Sequence, residues 1–483
     1  MSERPCIAVI GGGLTGLAAV HRLSELSAEQ DQLINVTLFE ASDRLGGVFG
    51  TRHINGHVVE TGADSFITNK PWAVDLCDRL GLGDQLIGTN PAYQRSLILH
   101  EGKPVVTPEG FELLLPRKLR ALLASPLLSH EGKIRVAAEP FVPPKTDQSD
   151  ESLASFVRRR FGQEMLDRIV QPMVGGIYTA DPEHLSMQAT LPRFARRERD
   201  YGSLLRSVWA ERGSDESKAD EELDNPSGIS GARYGLFASL KEGMSQLLDA
   251  LTVSAQRSAK VAMNVAVAFI QLMPDGGYDI ELSNGEKQSF DAVILALPAH
   301  HSGRLVKPWD STLAERLLQI PYASSAIVVS AHRMEDVEHP VDAFGLVIPH
   351  VEGRRILAVS FLSRKFEGRS PEGTIQLRTF VGGAMQPELL DQPDDAIYAM
   401  VREELQDILG VRGKPIFEIM ARYERAMPQY HVGHLDLVED IDRLTSLHDC
   451  FAIAGNAYRG VGLPDSIHSG EEAAERTIAT LFA

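Results

Sequence analysis

A glycine-rich segment near the start of the chain has the residue types and spacing of a phosphate-binding turn. Gly11, Gly13 and Gly16 form a G-x-G-x-x-G pattern directly after the apolar run Cys6–Ile10, which predicts a buried parallel strand. Gly11 permits a tight turn, Gly13 lets backbone approach a pyrophosphate, and Gly16 lets a helix pack closely against a strand. The first amides of the following helix would face the phosphates at the positive end of the helix dipole. The segment therefore predicts a dinucleotide site.

An acidic residue at the end of the next predicted strand completes this pattern. The apolar run 34–39 ends in Glu40, 24 residues beyond the last glycine of the turn, and a carboxylate here would accept hydrogen bonds from a ribose. Strand, glycine turn, helix, strand and acid together predict a Rossmann-like α/β domain. The remaining positions of the turn, Gly12, Leu14 and Thr15, are predicted cofactor contacts as well.

Composition limits the classes of protein to consider. The 483 residues are 43% hydrophobic and 24% charged, which is typical of globular proteins and sufficient for about three domains. The net charge of −18 argues against a nucleic-acid partner. Three widely spaced cysteines, Cys6, Cys77 and Cys450, predict reduced thiols and a cytoplasmic location. No apolar run reaches the ~18 residues of a spanning helix, so at most a peripheral membrane contact is expected.

The chemistry is expected to reside on the cofactor. The sequence has neither a Ser/His/Asp signature nor a set of metal-ligand spacings, so neither a catalytic side chain nor a metal site is predicted. His431 and His434 are expected to be loop or core histidines. His300 and His301 are expected to form a surface pair at the start of a helix.

Further glycines follow the acidic residue. The chain continues as Glu40-Ala-Ser-Asp-Arg-Leu-Gly-Gly47, then an Asn55-Gly56 pair predicts a type I′ hairpin, and Gly62-Ala-Asp-Ser65 comes next. Glycines in these positions would let backbone approach a bulky flat ring.

The C-terminal end has a second glycine loop. An apolar run over 450–454 is followed by Gly455 and by Gly460-Val-Gly-Leu-Pro464, after which apolar residues recur with helical spacing. Together with the N-terminal motifs, these residues resemble the FAD-dependent amine oxidase and protoporphyrinogen oxidase superfamily. The resemblance implies FAD as the cofactor, with the N-terminus of the last helix beside the N1–C2=O edge of the reduced flavin.

The resemblance also implies a set of cofactor contacts beyond the first glycine turn and Glu40. Val265 matches the position whose backbone pairs with adenine. The others are Arg44, Gly46, Gly47, Gly62, Ala63, Asp64, Ser65, Gly455, Val461, Gly462 and Leu463.

Several longer segments resemble one family within this superfamily. They include Val170-Gln-Pro-Met-Val-Gly-Gly-Ile-Tyr178, Met427-Pro-Gln-Tyr-His-Val-Gly-His434 and Gly455-Asn-Ala-Tyr-Arg-Gly-Val-Gly-Leu463. These are similar to porphyrinogen oxidases of haem biosynthesis, of the soluble bacterial type that includes coproporphyrinogen III oxidases. The resemblance implies non-covalent FAD, six-electron oxidation of a porphyrinogen by hydride transfer to flavin N5, O2 as acceptor with release of H2O2, and a hand-off of product to a ferrochelatase.

Three residues are implied as substrate contacts. Arg95 matches an arginine that faces a propionate, Lys70 matches an active-site lysine, and Ile177 matches a residue that packs on the macrocycle. For each, the alternative is a structural residue: a surface strand arginine, a loop lysine or a core isoleucine.

The predicted architecture is an α/β protein with three parts. A discontinuous Rossmann-like FAD domain spans 1–90, 232–305 and 420–483. A mixed-sheet substrate domain spans 91–110 and 306–419. A small helical domain spans 111–231; its basic segment 111–140 is either a membrane or carboxylate contact or an ordinary helical surface. The acidic stretch 211–225 is predicted to be a mobile loop and is given no role.

Three alternatives stay open at this stage. The substrate is coproporphyrinogen III or protoporphyrinogen IX; Lys70 and the basic segment favour the more carboxylated one. The protein is otherwise another oxidoreductase of the superfamily, although an amine oxidase would need an aromatic cage that the sequence does not suggest. A binding protein of the GDP-dissociation-inhibitor type shares the fold, but intact glycines at 11, 13, 16, 46 and 47 argue against it.

Overall fold

The computed structural model describes residues 4–147, 149–211 and 236–483. The acidic stretch 211–225 lies, apart from its first residue, outside the described residues. The architecture is α/β, with a parallel sheet, a separate mixed sheet and a helical region, which confirms the predicted fold class.

The parallel sheet has five strands. In spatial order they are Lys260–Ala262, Asn35–Phe39, Cys6–Ile10, Ala292–Leu295 and Phe451–Ile453. Both faces are covered, which explains the continuous apolar runs.

The two faces of this sheet pack against different elements. Side chains such as Ile7 and Val9 lie in one core with the first helix (Leu14–Glu29) and the last helix (Leu463–Leu481). Ala8 and Ile10 point to the opposite core. That core is shared with an antiparallel sheet of Val267–Leu272, Tyr278–Leu282 and Lys287–Phe290.

Parallel pairing places the carboxyl ends of the strands at one edge. The turn after Ile10, the acid after Phe39 and the loop after Ile453 therefore meet at that edge, although they are far apart in sequence. This is where ligands bind in open α/β sheets.

The mixed sheet has seven strands. In spatial order they are Phe417–Pro428, Tyr322–Arg333, Thr374–Gly382, Ala358–Phe361, Gly345–Val347, Ser96–His100 and Lys103–Val106. The strand Phe417–Pro428 pairs along Tyr322–Arg333, so it continues beyond residue 419, where the predicted substrate domain ends. The helix Asp394–Leu409 contributes to the core of this sheet.

Three further small sheets are formed within the described residues. Asn55 and Gly56 both have positive φ between Thr51–Ile54 and His57–Glu60, as a type I′ hairpin requires. Phe237–Leu240 is the central strand of a three-stranded sheet, between Phe66–Ile67 and Leu86–Gly88. Phe111–Glu112 and Leu115–Pro116 form a two-stranded sheet.

The helical region has its own apolar core. The helix Leu153–Arg160 begins after Ser152, whose hydroxyl caps it by accepting a hydrogen bond from the amide of Ser155 at 3.1 Å. The other helices of this region are Leu119–Ala124, His130–Ala137, Gln163–Met165, the π-turn Leu166–Val170, Gln171–Tyr178, Met187–Thr190, Pro192–Tyr201 and Leu204–Glu211. Elsewhere lie Trp72–Arg79, Ser245–Ser258, Ala299–Val306, Ser311–Leu318, Leu362–Lys365 and His434–Thr445.

The basic segment 111–140 is partly neutralised. Arg117 contacts the carboxylates of Glu112 and Glu211, and Lys118 contacts that of Glu109. Within the described ranges, no helix combines the length and apolar character needed to cross a bilayer.

Candidate active site

The first glycine turn is built as the sequence predicts. A Cβ at Gly16 would collide with the carbonyl oxygen of Gly11, and one at Gly11 would collide with that of Ala296, so both glycines are close-packed. Gly13 is different, because a Cβ there would meet no atom within 4 Å. Gly13 is also the N-cap of the first helix, and no side chain caps the first amides. The turn therefore leaves open space in front of uncapped helix amides, which fits a pyrophosphate.

Glu40 has a second task besides the predicted one. Its Oε2 accepts a hydrogen bond from the amide of Gly12 at 2.8 Å, and its Oε1 accepts from the amide and hydroxyl of Ser42 at 2.8 and 2.7 Å. The carboxylate thus ties the second strand to the glycine turn. It is only half-buried, so lone pairs remain for ribose hydroxyls.

Arg44, a predicted cofactor contact, is used by its own loop. Its guanidinium donates to the carbonyls of Gly47 and Phe49, the latter at 2.8 Å. The amide of Gly46 donates to the carbonyl of Gly12 at 2.8 Å, which fixes this loop against the first glycine turn. Arg44 therefore shapes this loop while its side chain stays exposed.

Val265 lies beside the acidic residue. Its amide donates to the carbonyl of Glu40 at 3.1 Å. The structure therefore brings the predicted adenine position next to the predicted ribose position, but that amide already has a partner.

A second helix N-terminus lies at the same edge. The last helix is preceded by Gly462 in an extended conformation, and no side chain caps its first amides. Gly455 turns the chain with φ of 140°, and its amide donates to the hydroxyl of Ser469 at 3.0 Å. Val461 and Leu463 flank Gly462, so the predicted C-terminal contacts form one loop.

The segment 62–65 passes close to the loop that contains Arg44 and Gly46. A Cβ at Gly62 would collide with the carbonyl oxygen of Val48. The next residues, Ala63 and Ser65, are partly buried. Only glycine fits where these two backbones meet.

Asp64 is committed to an ion-pair cluster. Its carboxylate lies 3.0 Å from Lys365 Nζ and 3.4 Å from Arg378 Nη1, and it accepts from the hydroxyl of Ser65 at 2.7 Å. Burial alone would raise the pKa of Asp64, but Lys365 and Arg378 hold it well below its usual range. Arg378 also donates to the carbonyl of Gly62. Asp64 therefore ties the segment 62–65 to the mixed sheet.

Lys70 contacts the last helix, and Ile177 lies in the helix Gln171–Tyr178. Lys70 Nζ is paired with Asp465 Oδ1 at 2.6 Å, in the first turn of the last helix. Ile177 is 49% exposed, which is unusual for a core isoleucine. Tyr178 follows Ile177 in the chain. Burial and the nearby Asp465 carboxylate raise the pKa of Tyr178 to about 12.

Arg95 is engaged elsewhere. Its Nε donates to the carbonyl of Asp342 at 2.7 Å, and its guanidinium pairs with the carboxylate of the same residue. Both groups remain nearly half exposed at the start of a strand of the mixed sheet.

The structure adds two tyrosines that sequence reasoning missed. Tyr423 donates to the carbonyl of Thr61 at 2.7 Å, and Tyr430 donates to that of Asn456 at 2.6 Å. Both side chains thus contact segments next to predicted cofactor residues. The only available signal was the Pro-Gln-Tyr motif that ends in Tyr430.

The histidines divide between core and surface. His434 is 3% exposed, as expected of a core histidine. The expected surface pair is half wrong: His300 is 5% exposed because its ring packs edge-on against Tyr322, whereas His301 is exposed.

Comparison with known proteins extends over the whole chain. The family model described as flavin containing amine oxidoreductase matches residues 14–478. A coproporphyrinogen III oxidase of Propionibacterium freudenreichii is 32% identical, over 99% of this chain and 91% of that protein. One of Staphylococcus aureus is 30% identical, over 98% of this chain and 99% of that protein. A crystal structure of a protoporphyrinogen oxidase candidate from Exiguobacterium superposes with a TM-score of 0.84, at 27% identity over 98% of each chain.

The open space at Gly13 leads to a prediction about cofactor affinity. Gly13→Ala fits the folded protein without collision, since Gly13 has φ of −72° and an added Cβ would meet no atom within 4 Å. The new methyl group nevertheless occupies the space in front of the helix amides. We expect normal folding and at least a tenfold weaker affinity for FAD, measured by titrating apoprotein and following flavin fluorescence. The contrasting variant is Gly16→Ala, which must displace Gly11 and is expected to lower the melting temperature of the apoprotein as well. Equal FAD affinity in wild type and Gly13→Ala would contradict this assignment of the turn.

The Asp64 cluster leads to a prediction about stability and pH. Asp64→Asn leaves two buried cations without their carboxylate, so we expect a loss of about 3 kcal/mol in the free energy of unfolding at pH 7. Because the folded-state pKa of Asp64 is lowered, this contribution is present above the ordinary pKa of about 3.9 and is lost as the pH falls below it. The difference between wild type and variant should therefore narrow below about pH 4 in urea titrations. Asp407→Asn, at an exposed ion pair, is the control and should cost less than about 1 kcal/mol at every pH.

Proposed function

Because this chain belongs to the flavin-containing amine oxidoreductase family, we propose that it is an FAD-dependent enzyme that oxidises coproporphyrinogen III to coproporphyrin III. The observation that carries the proposal is its full-length similarity to bacterial coproporphyrinogen III oxidases, at 30% and 32% identity. The reaction removes six electrons in three two-electron steps. Each step takes a hydride and a proton from the macrocycle, consumes one O2 and releases one H2O2.

The residues at the sheet edge fit FAD. FAD, when bound, supplies the acceptor of each hydride and passes the electrons on to O2. We assign the pyrophosphate to the amides at the start of the first helix, the ribose to Glu40, and adenine to the backbone near Val265. The uncapped N-terminus of the last helix would then stabilise the negative charge that a bound flavin gains on reduction.

The segment around Asp465 is the proposed substrate side. Lys70 keeps 35% of its side chain exposed while paired with Asp465, so its ammonium can also meet a substrate propionate. Ile177 presents an exposed apolar side chain suited to the face of a macrocycle. Arg95 is a second cation for a propionate, provided that it exchanges Asp342 for the substrate.

Protoporphyrinogen IX is the second candidate substrate. The structural similarity to the Exiguobacterium protein and 29% identity to a protoporphyrinogen oxidase of Arabidopsis thaliana favour it. This substrate has two propionates where coproporphyrinogen III has four, so cations on the substrate side discriminate between the two. Solved amine oxidases at 15–17% identity share the fold alone.

The expected surroundings follow from this chemistry. The porphyrin product is an unmetallated macrocycle, so we propose that a ferrochelatase receives it. We also propose a cytoplasmic location, with any membrane contact limited to the surface of the segment 111–140.

The first test compares the two substrates. Each porphyrinogen is prepared anaerobically, mixed in air with the purified flavoprotein, and followed by porphyrin fluorescence, with a protein-free sample to subtract spontaneous oxidation. We expect the larger kcat/KM for coproporphyrinogen III. A preference for protoporphyrinogen IX would replace the first candidate by the second, and no enzyme-dependent fluorescence from either would reject porphyrinogen oxidation.

Lys70→Ala tests the substrate side. Loss of a charge-assisted hydrogen bond is expected to lower kcat/KM for coproporphyrinogen III by about 10- to 100-fold, and that for protoporphyrinogen IX by less. Lys70→Arg should retain much of the wild-type value because it keeps the charge. Lys103→Ala, on an edge strand of the mixed sheet, controls for a general loss of positive charge. The same loss for both substrates would refute a role for Lys70 in selecting the more carboxylated one.

A further inference from the structure

The loop between the last strand of the parallel sheet and the last helix has few contacts of its own. Residues 455–462 form neither helix nor strand, so side chains from outside must satisfy their backbone polar groups. One such partner is the hydroxyl of Ser469, which accepts from the amide of Gly455. The hydroxyl of Ser466 donates to the carbonyl of Gly462 at 3.0 Å. The other side-chain partners come from the segment 429–434, which follows the strand Phe417–Pro428.

Tyr430 holds this loop at two points with one hydroxyl. The hydroxyl donates to the carbonyl of Asn456 at 2.6 Å and accepts from the amide of Gly460 at 2.8 Å. The side chain is 2% exposed, so water does not replace these bonds readily. A single atom thereby fixes the distance between the two ends of the five-residue stretch 456–460.

His434 supports Tyr430 and holds a third point of the loop. The two rings are stacked, with centroids 3.9 Å apart and planes 12° from parallel. His434 Nε2 lies 2.9 Å from the carbonyl oxygen of Tyr458, and since a carbonyl only accepts, this nitrogen carries the proton. Burial lowers the pKa of His434 to about 4, so the ring is neutral near neutral pH and the stack keeps one protonation state.

The same segment also contacts the helical region. The carbonyl of Tyr430 accepts from the amide of Ser186 at 2.7 Å, and the side-chain amide of Gln429 donates to the carbonyl of Tyr178 at 3.2 Å. Tyr178 follows Ile177 in the same helix. The segment 429–434 therefore joins the cofactor loop to the element that presents Ile177.

We propose that Tyr430 is a positioning residue for the cofactor: its hydroxyl sets the shape of the loop 455–462, and with it the position of the helix N-terminus that would face a bound flavin. The proposal rests on the assignment of this loop to FAD. It gives Tyr430 no contact with substrate and no proton transfer. FAD affinity and the stability of the reduced flavin then depend on the hydrogen bonds through which Tyr430 and the stacked His434 hold this loop.

Tyr430→Phe removes the hydroxyl and keeps the stacked ring. We expect about tenfold weaker FAD binding, which corresponds to about 1.4 kcal/mol, together with an altered visible circular dichroism of the bound flavin. The midpoint potential should become more negative, because a displaced helix N-terminus stabilises the reduced flavin less well. The matched control is Tyr278→Phe, since Tyr278 is equally buried and its hydroxyl donates to the carbonyl of Asp449, outside the site.

The outcomes separate a positioning role from a purely structural one. Wild-type FAD affinity, visible spectrum and potential in Tyr430→Phe would overturn the proposal. So would changes that only match those of Tyr278→Phe. If Tyr430→Phe does not fold, His434→Gln and His434→Leu are compared instead. The glutamine amide can still donate to the carbonyl of Tyr458, so His434→Gln should retain a higher FAD affinity than His434→Leu. Equal FAD affinities of these two variants would overturn the proposal. None of these measurements uses a porphyrinogen, so they stand even if the proposed substrate is wrong.

Discussion

The contact between the first and last helices is the constraint on which the site depends. A Cβ at Gly470 would collide with the carbonyl oxygen of Thr15 and lie 3.2 Å from the amide nitrogen of Ala19, so only glycine lets the two helices approach this closely. This contact brings two uncapped helix N-termini to the same edge of the parallel sheet. Each N-terminus alone is a general anion site. Side by side, they can serve a ligand with a phosphate group at one end and a ring that gains negative charge at the other.

Buried charges fix the second sheet relative to this pair of helices. Arg369 is 0% exposed and donates to the hydroxyl of Ser239 and the carbonyl of Leu240, at 2.7 and 2.8 Å. Together with the Asp64 cluster, it joins the mixed sheet to strands on the cofactor side. Because a displaced buried cation would lose its partners, these contacts permit one arrangement of the two sheets. An apolar interface would tolerate sliding, whereas this one determines where the substrate side meets the cofactor side.

The parts of the fold that could be predicted obey local rules. The glycine turn at 11–16 and the hairpin at Asn55 and Gly56 both depend on conformational preferences within a few residues. The Rossmann-like part of the fold follows from the pattern of strand, glycine turn, helix, strand and acid, whereas the other two domains were expected from the family resemblance. For the site, local rules gave the position of Glu40 at the end of its strand, but not its bond to Gly12.

Long-range side-chain pairing could not be predicted in the same way. Nothing near Lys70 in the sequence points to Asp465, and nothing near Arg95 points to Asp342. A cation looks the same in sequence whether it meets a ligand or a carboxylate of its own chain. Arg44 illustrates the difficulty, because its type and position match a cofactor contact while its guanidinium serves two backbone carbonyls.

In these pairings, side chains hold the loops in place, whereas backbone amides are left to bind a ligand. Around the sheet edge, the polar side chains of Glu40, Arg44, Ser469 and Tyr430 are bonded to loop backbone. Besides the remaining lone pairs of Glu40, the groups at this edge that are available to a ligand are then mainly the amides at the helix starts. Backbone amides cannot be moved by rotation about side-chain bonds. They can therefore hold a cofactor in one position while it is repeatedly reduced and reoxidised. The proposed substrate side depends instead on a few side chains, of which Lys70 keeps part of its surface exposed.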